Sequence, residues 1–301
     1  MRRIEKTNER VAELHKILLE YQEKSSEEMD EISSGPIDIT KLVTDAQNKV
    51  KGKSLTDAII TLAKMGSSPK ISDLKRRVEE SAGKYVFQHL FSAVAVNETG
   101  KVIARQPSML SDTPEEVEAA KKVEMYKEAV YHQHLHTLGI IDPARQQILL
   151  EHDVREHDFL SLVSDNMFIP PGREEIYARG LYAGLKGDFM VSTHLLIPQL
   201  EHSIRHILYQ NGVIVSTLDS DGIQDERNLN SLLFLPELSL ILGEDLTFDL
   251  QGLLVERFGS NLRNRMAHGL IDTNAFHSTP AQYLWWIMLK LCLVYKIATL
   301  R

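Results

Sequence analysis

Apolar residues recur every three or four positions along most of this 301-residue chain, which is the spacing of an amphipathic α-helix. Near the start, Val11, Leu14, Leu18 and Tyr21 follow that spacing. The same pattern, with its breaks at glycine and proline, predicts helices over residues 41–50, 55–65, 71–90, 114–137, 142–157, 174–187, 188–209, 226–242, 248–258, 261–268 and 280–299. We therefore predict an all-α fold.

Two stretches depart from the helical spacing. In residues 91–96 apolar and small side chains alternate, and several are β-forming. A turn-forming Asn-Glu-Thr-Gly follows, and residues 101–104 can form the returning strand. This order predicts a β-hairpin. Residues 212–218 are also strand-like and lead into an acidic turn at 219–225. The β elements are thus predicted to be small insertions in a helical chain.

Two segments rich in turn-forming residues divide the chain. Residues 25–36 are acidic and serine-rich, which is typical of a linker, and Ile169-Pro170-Pro171-Gly172 stops the helical pattern sharply. The predicted parts are an N-terminal helix with its linker over 1–35, a mostly helical domain with a β-hairpin near 91–105 over 36–170, and a helical bundle over 171–301.

The composition is typical of a folded globular protein, with 43% hydrophobic and 25% charged residues. The net charge of −8 argues against a broad nucleic-acid-binding surface, because such a surface needs many cations to displace counterions from phosphates. If the protein binds RNA, we expect the contact to be confined to a small basic site.

The cysteine content and the first residues bear on the compartment. Cys292 is the single cysteine, so neither an intrachain disulfide nor a paired-cysteine zinc site can form. Met1 is followed by Arg2, Arg3 and Lys6 without the apolar segment of a secretory signal. We expect a cytoplasmic protein. The charged start also suggests the C-terminal part of a longer chain with further N-terminal domains.

Residues 281–300 are nearly apolar and about as long as a membrane span. Lys290 lies at the centre of this run, where a charge is costly in hydrocarbon, so we expect a buried helix and no membrane contact. Trp285 and Trp286 are then core or interface aromatics. In another helix, Gly180 and Gly184 are spaced to permit close packing.

The segment Arg263-Asn264-Arg265-Met266-Ala267-His268-Gly269 is the best candidate for chemistry. A histidine exchanges protons near neutral pH, and an arginine stabilises negative charge on a phosphate through paired hydrogen bonds. Asn264 could orient the imidazole or donate to a phosphate. With Arg263 and His268 it could support metal-free RNA cleavage, in which the 2′-hydroxyl attacks the adjacent phosphorus. Arg257 and Arg265 would supply local positive charge for RNA.

The helical geometry of this segment leaves two interpretations open. Ser260 or Asn261 can cap the start of a short helix, and Gly269 suits the position just past its end. On a regular helix, Arg263 and His268 point roughly 140° apart. Both line one cleft only if the helix ends near His268 or if a second copy of the chain completes the site. Alternatively, these residues only cap the helix end and interact with its dipole.

Residues 179–188, 196–205 and 261–269 resemble the HEPN superfamily (higher eukaryotes and prokaryotes nucleotide-binding), most closely the group called domain of unknown function 4209. HEPN ribonucleases carry an arginine, four to six further residues and a histidine, often with a polar residue directly after the arginine. Arg263, a four-residue spacer that begins with Asn264, and His268 match this pattern. The resemblance covers residues 160–301 well and residues 80–160 loosely.

The resemblance implies a bundle of four or five helices that forms a homodimer, so that two Arg/His pairs meet in one cleft. It implies a metal-independent endoribonuclease that needs no cofactor, leaves a 2′,3′-cyclic phosphate, and acts as a toxin or in anti-phage defence. Other HEPN domains only bind, so a non-catalytic nucleotide- or protein-binding regulatory module is the alternative.

Glu201 and Arg205 lie four residues apart with the acid first, the favourable order for a helix ion pair. They could form an exposed pair that contributes roughly a few tenths of a kcal/mol. They could instead lie at the cleft and support the site, with Glu201 holding Arg205 or Arg263. Pro198, one turn earlier, would bend the helix and could aim them inward.

A group of histidines offers a third possibility, a metal site. His132, His134 and His136 are close in sequence, and His152 and His157 follow with acids nearby. Imidazoles and carboxylates can bind zinc or manganese. No established metal-ligand spacing is present, however, so we expect a solvated helix face and no metal.

Overall fold

In a computed structural model of the protein, residues 10–11, 13–21, 24, 35–84, 93–96 and 101–299 are described. The described residues are mostly helical, and their strands form two small antiparallel sheets, which confirms the all-α class. Residues 13–21 are helical, as predicted. Most of the predicted linker, residues 25–34, lies outside the described residues.

The helices follow the predicted order closely. In the part of the chain that the structure describes from residue 35 onward they are α1 Thr40–Val50, α2 Leu55–Lys64, α3 Ile71–Lys84, α4 Pro114–His136, α5 Asp142–Glu151, α6 Leu160–Val163, α7 Glu174–Leu185, α8 Phe189–Gln210, α9 Leu229–Leu232, α10 Pro236–Leu242, α11 Glu244–Leu254, α12 Leu262–Ala267, α13 Thr273–Phe276 and α14 Thr279–Thr299. The strands are β1 Ala93–Val96, β2 Val102–Gln106, β3 Ser216–Leu218 and β4 Gln224–Glu226.

The chain forms two compact units. One comprises residues 1–37 and 77–124, and the other comprises residues 38–76 and 125–301. The first contains the predicted hairpin, in which β1 pairs antiparallel with β2 and Ala95 lies opposite Ala104. Its turn, residues 97–100, lies outside the described residues. The segment Ile169 to Gly172 interrupts the helices as expected, but it lies inside the second unit.

Several predicted helix ends were wrong for local reasons. The helix expected over 142–157 ends at Glu151, because His152 adopts an extended conformation, and His157 belongs to a 3₁₀ turn over Glu156–Phe159. A π-helical turn over Thr137–Ile141 joins α4 directly to α5.

The helix expected over residues 226–242 is two helices. Asn228 caps α9 by accepting from the Ser231 backbone N–H at 3.1 Å, and Pro236 starts α10 in its first turn, where a missing N–H costs nothing. The helix expected over residues 248–258 is α11, which begins earlier, at Glu244, and ends earlier, at Leu254.

The acidic segment 219–225 is also more ordered than a plain turn. The carboxylate of Asp219 accepts from the backbone N–H groups of Asp221 at 2.9 Å and Ile223 at 2.8 Å. This closes a hairpin between β3 and β4, in which Thr217 lies opposite Asp225. The second strand was not predicted, because its residues Gln224, Asp225 and Glu226 carry no apolar pattern.

Helix α14 runs through the core of the second unit. Trp285 and Trp286 are buried, and their indole N–H groups donate to the carbonyls of Leu181 and Leu62, both at 2.9 Å. Gly184 is needed beneath Trp285, since a Cβ there would lie 2.2 Å from the ring. Burial also raises the pKa of the Cys292 thiol. Among the described residues, no helix combines the length and apolarity required to cross a membrane.

The antiparallel pair α7 and α8 positions the candidate site. Gly180 packs against Leu196 so closely that a Cβ would lie 2.6 Å from that side chain, and the Ser192 hydroxyl donates to the Gly180 carbonyl at 2.9 Å. Asp188 caps the start of α8, and Pro198 lies inside that helix as predicted. The Tyr177 hydroxyl donates to the carbonyl of Gln199 at 3.0 Å, which fixes the register of the pair.

Candidate functional site

The short helix α12 carries the Arg263 to His268 motif, and both of its ends are defined by backbone contacts. Before it, Gly259 lies against the end of α11, where a Cβ would be 1.9 Å from the Gly252 carbonyl oxygen, and the Ser260 N–H donates to that oxygen at 2.9 Å. After it, Gly269 adopts φ of +67°. Gly269 and Leu270 donate their N–H groups back to the last turn at 3.0 and 2.8 Å, which is a Schellman ending.

The start of α12 differs in detail from the prediction. Asn261 occupies the cap position, but it adopts a left-handed conformation with φ of 49° and its side chain does not cap the helix. Its Oδ1 accepts instead from the Asn264 side chain at 2.8 Å. Asn264 also donates to the Val255 carbonyl at 3.4 Å and accepts from Arg263 Nη1 at 3.3 Å. Asn264 is therefore held beside Arg263, and its side chain is not hydrogen-bonded to His268.

Glu201 joins two arginines. Its Oε2 accepts from Arg263 Nη2 at 3.2 Å, while its Oε1 faces Arg205 Nη2 at 3.4 Å and accepts from the Leu229 backbone N–H at 3.1 Å. The side chains of Glu201 and Arg205 are each 17% exposed and that of Arg263 is 23% exposed. The pair of Glu201 and Arg205 is thus not an exposed surface pair. We call Glu201, Arg205, Arg263 and Asn264 the motif cluster.

Arg205 also connects the motif cluster to the β3–β4 hairpin. Its Nε lies 3.0 Å from the Glu226 carboxylate, and its Nη2 donates to the Arg227 carbonyl at 3.0 Å. Glu226 in turn lines an open groove of about 490 Å³ between the end of α8 and the hairpin. Tyr209 and Ile214 are exposed hydrophobic residues in its wall.

His268 stands apart from the motif cluster. It occupies the position just after α12, its side chain is exposed, and within the described residues no hydrogen bond or ion pair engages its ring. The structure therefore brings Arg263, Asn264, Glu201 and Arg205 together but does not join His268 to them within one chain. Arg257 is exposed in the turn after α11 and Arg265 is half-buried on α12. An RNA-binding role for these two stays a prediction.

The histidines of α4 do not form the expected solvated face. His136 is 6% exposed, and its ring lies 4.7 Å from that of Trp286. Burial lowers the pKa of His136 to about 4, and neighbouring His132 acts in the same direction. His134 is exposed and lies 3.1 Å from the Thr279 hydroxyl. Among the described residues, no three histidine, cysteine or acidic side chains are grouped as metal ligands.

A buried carboxylate that the sequence analysis missed lies beside these histidines. Asp249 is fully buried and accepts from Gln133 Nε2 at 2.7 Å and from the Tyr283 hydroxyl at 2.8 Å. Burial raises the pKa of this carboxyl. We call His132, His136, Asp249, Tyr283 and Lys290 the core cluster. The available sequence signal was an acid inside the apolar run Phe248 to Leu254.

Basic side chains of the core cluster hold the loop between α2 and α3. Lys290 Nζ donates to the Gly66 carbonyl at 2.7 Å, and His132 Nε2 lies 3.2 Å from the Ser67 carbonyl. The His136 ring packs against Gly66, where an added Cβ would lie 1.8 Å from its Cε1. Two successive residues of one loop are thus held from two helices. His132 and His136 of the predicted histidine group therefore help to position the loop between α2 and α3.

Two further histidines that the sequence analysis did not select lie close to the motif cluster. His202 and His206 are half-buried on α8, on either side of Arg205. Burial lowers the pKa of both imidazoles, and Arg173 and Arg205 lower that of His202 further. The sequence signal was present, since the two histidines are four residues apart and share a helix face with Arg205.

Comparison with known proteins identifies no relative of this chain. The chain matches none of the protein families, curated proteins or solved structures with which it was compared.

Proposed function

We propose that the protein is a metal-independent endoribonuclease of the HEPN type. One observation carries the proposal: α12 ends directly before His268, so the imidazole is exposed to solvent while Arg263, five residues earlier, is held by Glu201 at 3.2 Å. An imidazole that solvent can reach and a fixed cation are two of the groups that this reaction requires.

The chemistry needs no group beyond the protein and the RNA. An imidazole accepts the 2′-hydroxyl proton as that oxygen attacks the adjacent phosphorus, and Arg263 stabilises the charge that develops on the phosphoryl oxygens. A second imidazole, protonated, donates to the departing 5′-oxygen. The products are a 2′,3′-cyclic phosphate and a 5′-hydroxyl. One imidazole has gained a proton and the other has lost one, and proton exchange with water restores both before the next turnover.

A homodimer would supply the second imidazole. Arg263 is turned toward Glu201 within the bundle, whereas His268 is exposed beyond the helix end, so one chain presents only part of the site. Two copies that pair across this face would bring two His268 side chains to one cleft. Light scattering of the purified protein should therefore give the mass of a dimer, and a strictly monomeric protein that still cuts RNA would remove this part of the proposal.

The test is RNA cleavage by matched variants in the presence of EDTA. His268→Ala should lower the cleavage rate by about 10²–10⁴-fold and Arg263→Ala by about 10²–10³-fold. His277→Ala is the control, because His277 is also an exposed histidine just after a short helix, with φ of −91° against −95° for His268. Full activity of both motif variants would overturn the proposal.

A non-catalytic binding module is the second candidate, and one observation favours it. The Arg263 guanidinium already has two partners, Glu201 and Asn264, as expected of an arginine with a structural role. This candidate predicts that no RNA is cut and that a nucleotide raises the melting temperature. If that rise survives His268→Ala and Arg263→Ala, the motif is structural.

A further inference from the structure

Helix α8 presents a row of nitrogen-bearing side chains next to the motif cluster. His202, Arg205 and His206 lie at positions i, i+3 and i+4 and therefore share one helix face. All three are half-buried. Nδ1 of His202 is buried, and within the described residues it has no hydrogen-bond partner. His206 Nε2 lies 2.9 Å from Gln210 Nε2, so the amide donates to it and the remaining ring N–H of a neutral His206 is on Nδ1.

Arg173 lies beside the same part of α8. The Tyr177 hydroxyl contacts both Gln199 and Ser203, and α7 runs antiparallel to α8. Arg173 precedes Tyr177 by one helical turn, which places it beside the stretch of α8 that follows Ser203. Within the described residues, the structure pairs the Arg173 guanidinium with no carboxylate.

Arg227, which follows the β3–β4 hairpin, adds a further cation beside the row of His202, Arg205 and His206. The Arg227 carbonyl accepts from Arg205, so the chain at residue 227 lies against α8. Nε of Arg227 is buried without a hydrogen-bond partner in the part of the chain that the structure describes. The row is thus bordered by arginines on two sides.

Positive charge exceeds negative charge here, although the whole chain carries −8. The arginines are Arg173, Arg205, Arg227 and Arg263, and the acids in contact with them are Glu201 and Glu226. Both carboxylates are already paired with arginines. The charged or titratable groups that act electrostatically on the His202 ring are Arg173, Arg205, His206 and Glu226. An anion at this position would meet donors without a committed partner.

We propose that Arg173, His202 and His206 form a binding site for a phosphate group next to Arg205. A phosphate offers several oxygens to donors that approach from different directions, which suits one guanidinium and two imidazoles. Glu201 connects this site to the motif, since one carboxylate contacts Arg205 through Oε1 and Arg263 through Oε2. Resting on the proposed ribonuclease function, the site takes a backbone phosphate of the RNA strand that neighbours the phosphate being cleaved.

The first experiment uses inorganic phosphate and needs no cleavage. The His202 ring is followed by NMR, with His202→Gln as the assignment control, while phosphate is added to the full-length protein. Bound phosphate must raise the pKa of His202, and by linkage the binding of phosphate near this pKa must be accompanied by proton uptake at the ring. Arg173→Gln should weaken phosphate binding by about tenfold or more. An unchanged His202 pKa at saturating phosphate would overturn the site.

The matched control is Arg179→Gln. Arg179 is an exposed arginine on α7, six residues after Arg173, which occupies the cap position at the start of that helix. Six residues turn a helix by about 240°, so Arg179 points in another direction. The Arg179→Gln variant should leave phosphate binding unchanged. An equal loss of phosphate affinity in Arg179→Gln and Arg173→Gln would show non-specific attraction and contradict the site. Arg173→Lys keeps the charge without the planar fork and should retain part of the affinity.

The second experiment separates this site from the proposed function. With RNA as the substrate, Arg173→Gln should raise KM several-fold and leave kcat largely unchanged, because this phosphate is bound equally before and during the reaction. If the protein binds phosphate at His202 but cuts no RNA, the site stands and the ribonuclease proposal fails. If Arg173→Gln cuts RNA with unchanged KM and phosphate leaves His202 unaffected, the site alone fails.

Discussion

The core cluster and the motif cluster use the same kinds of side chain in different surroundings. In the core cluster, His136 is packed between aromatic rings and Asp249 is fully buried with two donors on its oxygens. In the motif cluster, the side chain of Glu201 is 17% exposed and shared between two arginines. His268, five residues after Arg263 of this cluster, is exposed, and its ring has no partner among the described residues.

The difference shows how burial decides what a histidine can do. Enclosing His136 makes its charged form costly, so the ring stays neutral and packs against the loop at Gly66. His268 is exposed to solvent, which keeps its ring nitrogens available to a ligand. A histidine in a sequence motif is therefore informative only together with the surroundings of its ring.

The largest effect that we expect is from Gly66→Ala, which tests how rigid the core cluster is. Gly66 has φ of +76°, and a Cβ there would lie 1.8 Å from Cε1 of the buried His136 ring. Backbone strain and overpacking together should lower the free energy of unfolding by about 3–5 kcal/mol. The matched change is Gly269→Ala beside the motif, where φ is +67° but no atom lies within 4 Å of the added Cβ. It should cost only about 1–2 kcal/mol in chemical denaturation, and equal losses would contradict the comparison.

The next effect is a pH dependence that belongs to His136. Its pKa is lowered from 6.5 to about 4 by burial, so the unfolded chain binds a proton that the folded chain does not. Stability should therefore fall as the pH drops from 6.5 to 4, by roughly 3 kcal/mol, and this contribution should be constant above that window. Denaturation curves of His136→Gln should lack this slope, whereas His277→Gln should keep it. A slope that survives in His136→Gln would place its origin elsewhere.

A smaller loss should follow from Glu201→Gln in the motif cluster. The change leaves Arg263 and Arg205 without their shared charge while both remain largely buried. Because some solvent still reaches them, we expect a loss of about 2 kcal/mol rather than the full cost of an isolated buried charge. Glu237→Gln, at an exposed position on α10, should change stability by less than about 0.5 kcal/mol. A Glu201→Gln protein as stable as this control would show that the cluster is held by other contacts.

The smallest effect sharpens the contrast between the two histidines. His268→Ala should change the free energy of unfolding by no more than about 0.5 kcal/mol, because the ring is exposed and no bond is lost. A loss of several kcal/mol in the same denaturation experiment would mean that His268 is a structural residue, and it would remove the contrast.

Local signals in the sequence were sufficient for much of the fold. The helical spacing predicted the order of the helices, Gly269 predicted the end of α12, and Gly180 with Gly184 predicted close packing. Each of these depends on residues that are neighbours along the chain. The break between α9 and α10 was missed although Pro236 indicated it, because the apolar spacing continues across that proline.

The contacts of the candidate site required the tertiary structure. Glu201 could be paired with Arg205 from spacing alone, but its contact with Arg263 joins residues 62 positions apart. Asn264 has several possible partners, and only the path of the chain before α12 selects Asn261 and Val255. The place of Asp249 beside the α4 histidines depends in the same way on how distant helices pack.

The chemical nature of the RNA ends tests the central claim most directly. Wild-type protein is incubated with a defined RNA in EDTA, and the 3′ ends of the products are identified by mass spectrometry. The account predicts 2′,3′-cyclic phosphate ends that disappear in His268→Ala and persist in His277→Ala. Products with 3′-hydroxyl ends, or cyclic ends formed equally by His268→Ala, would contradict it.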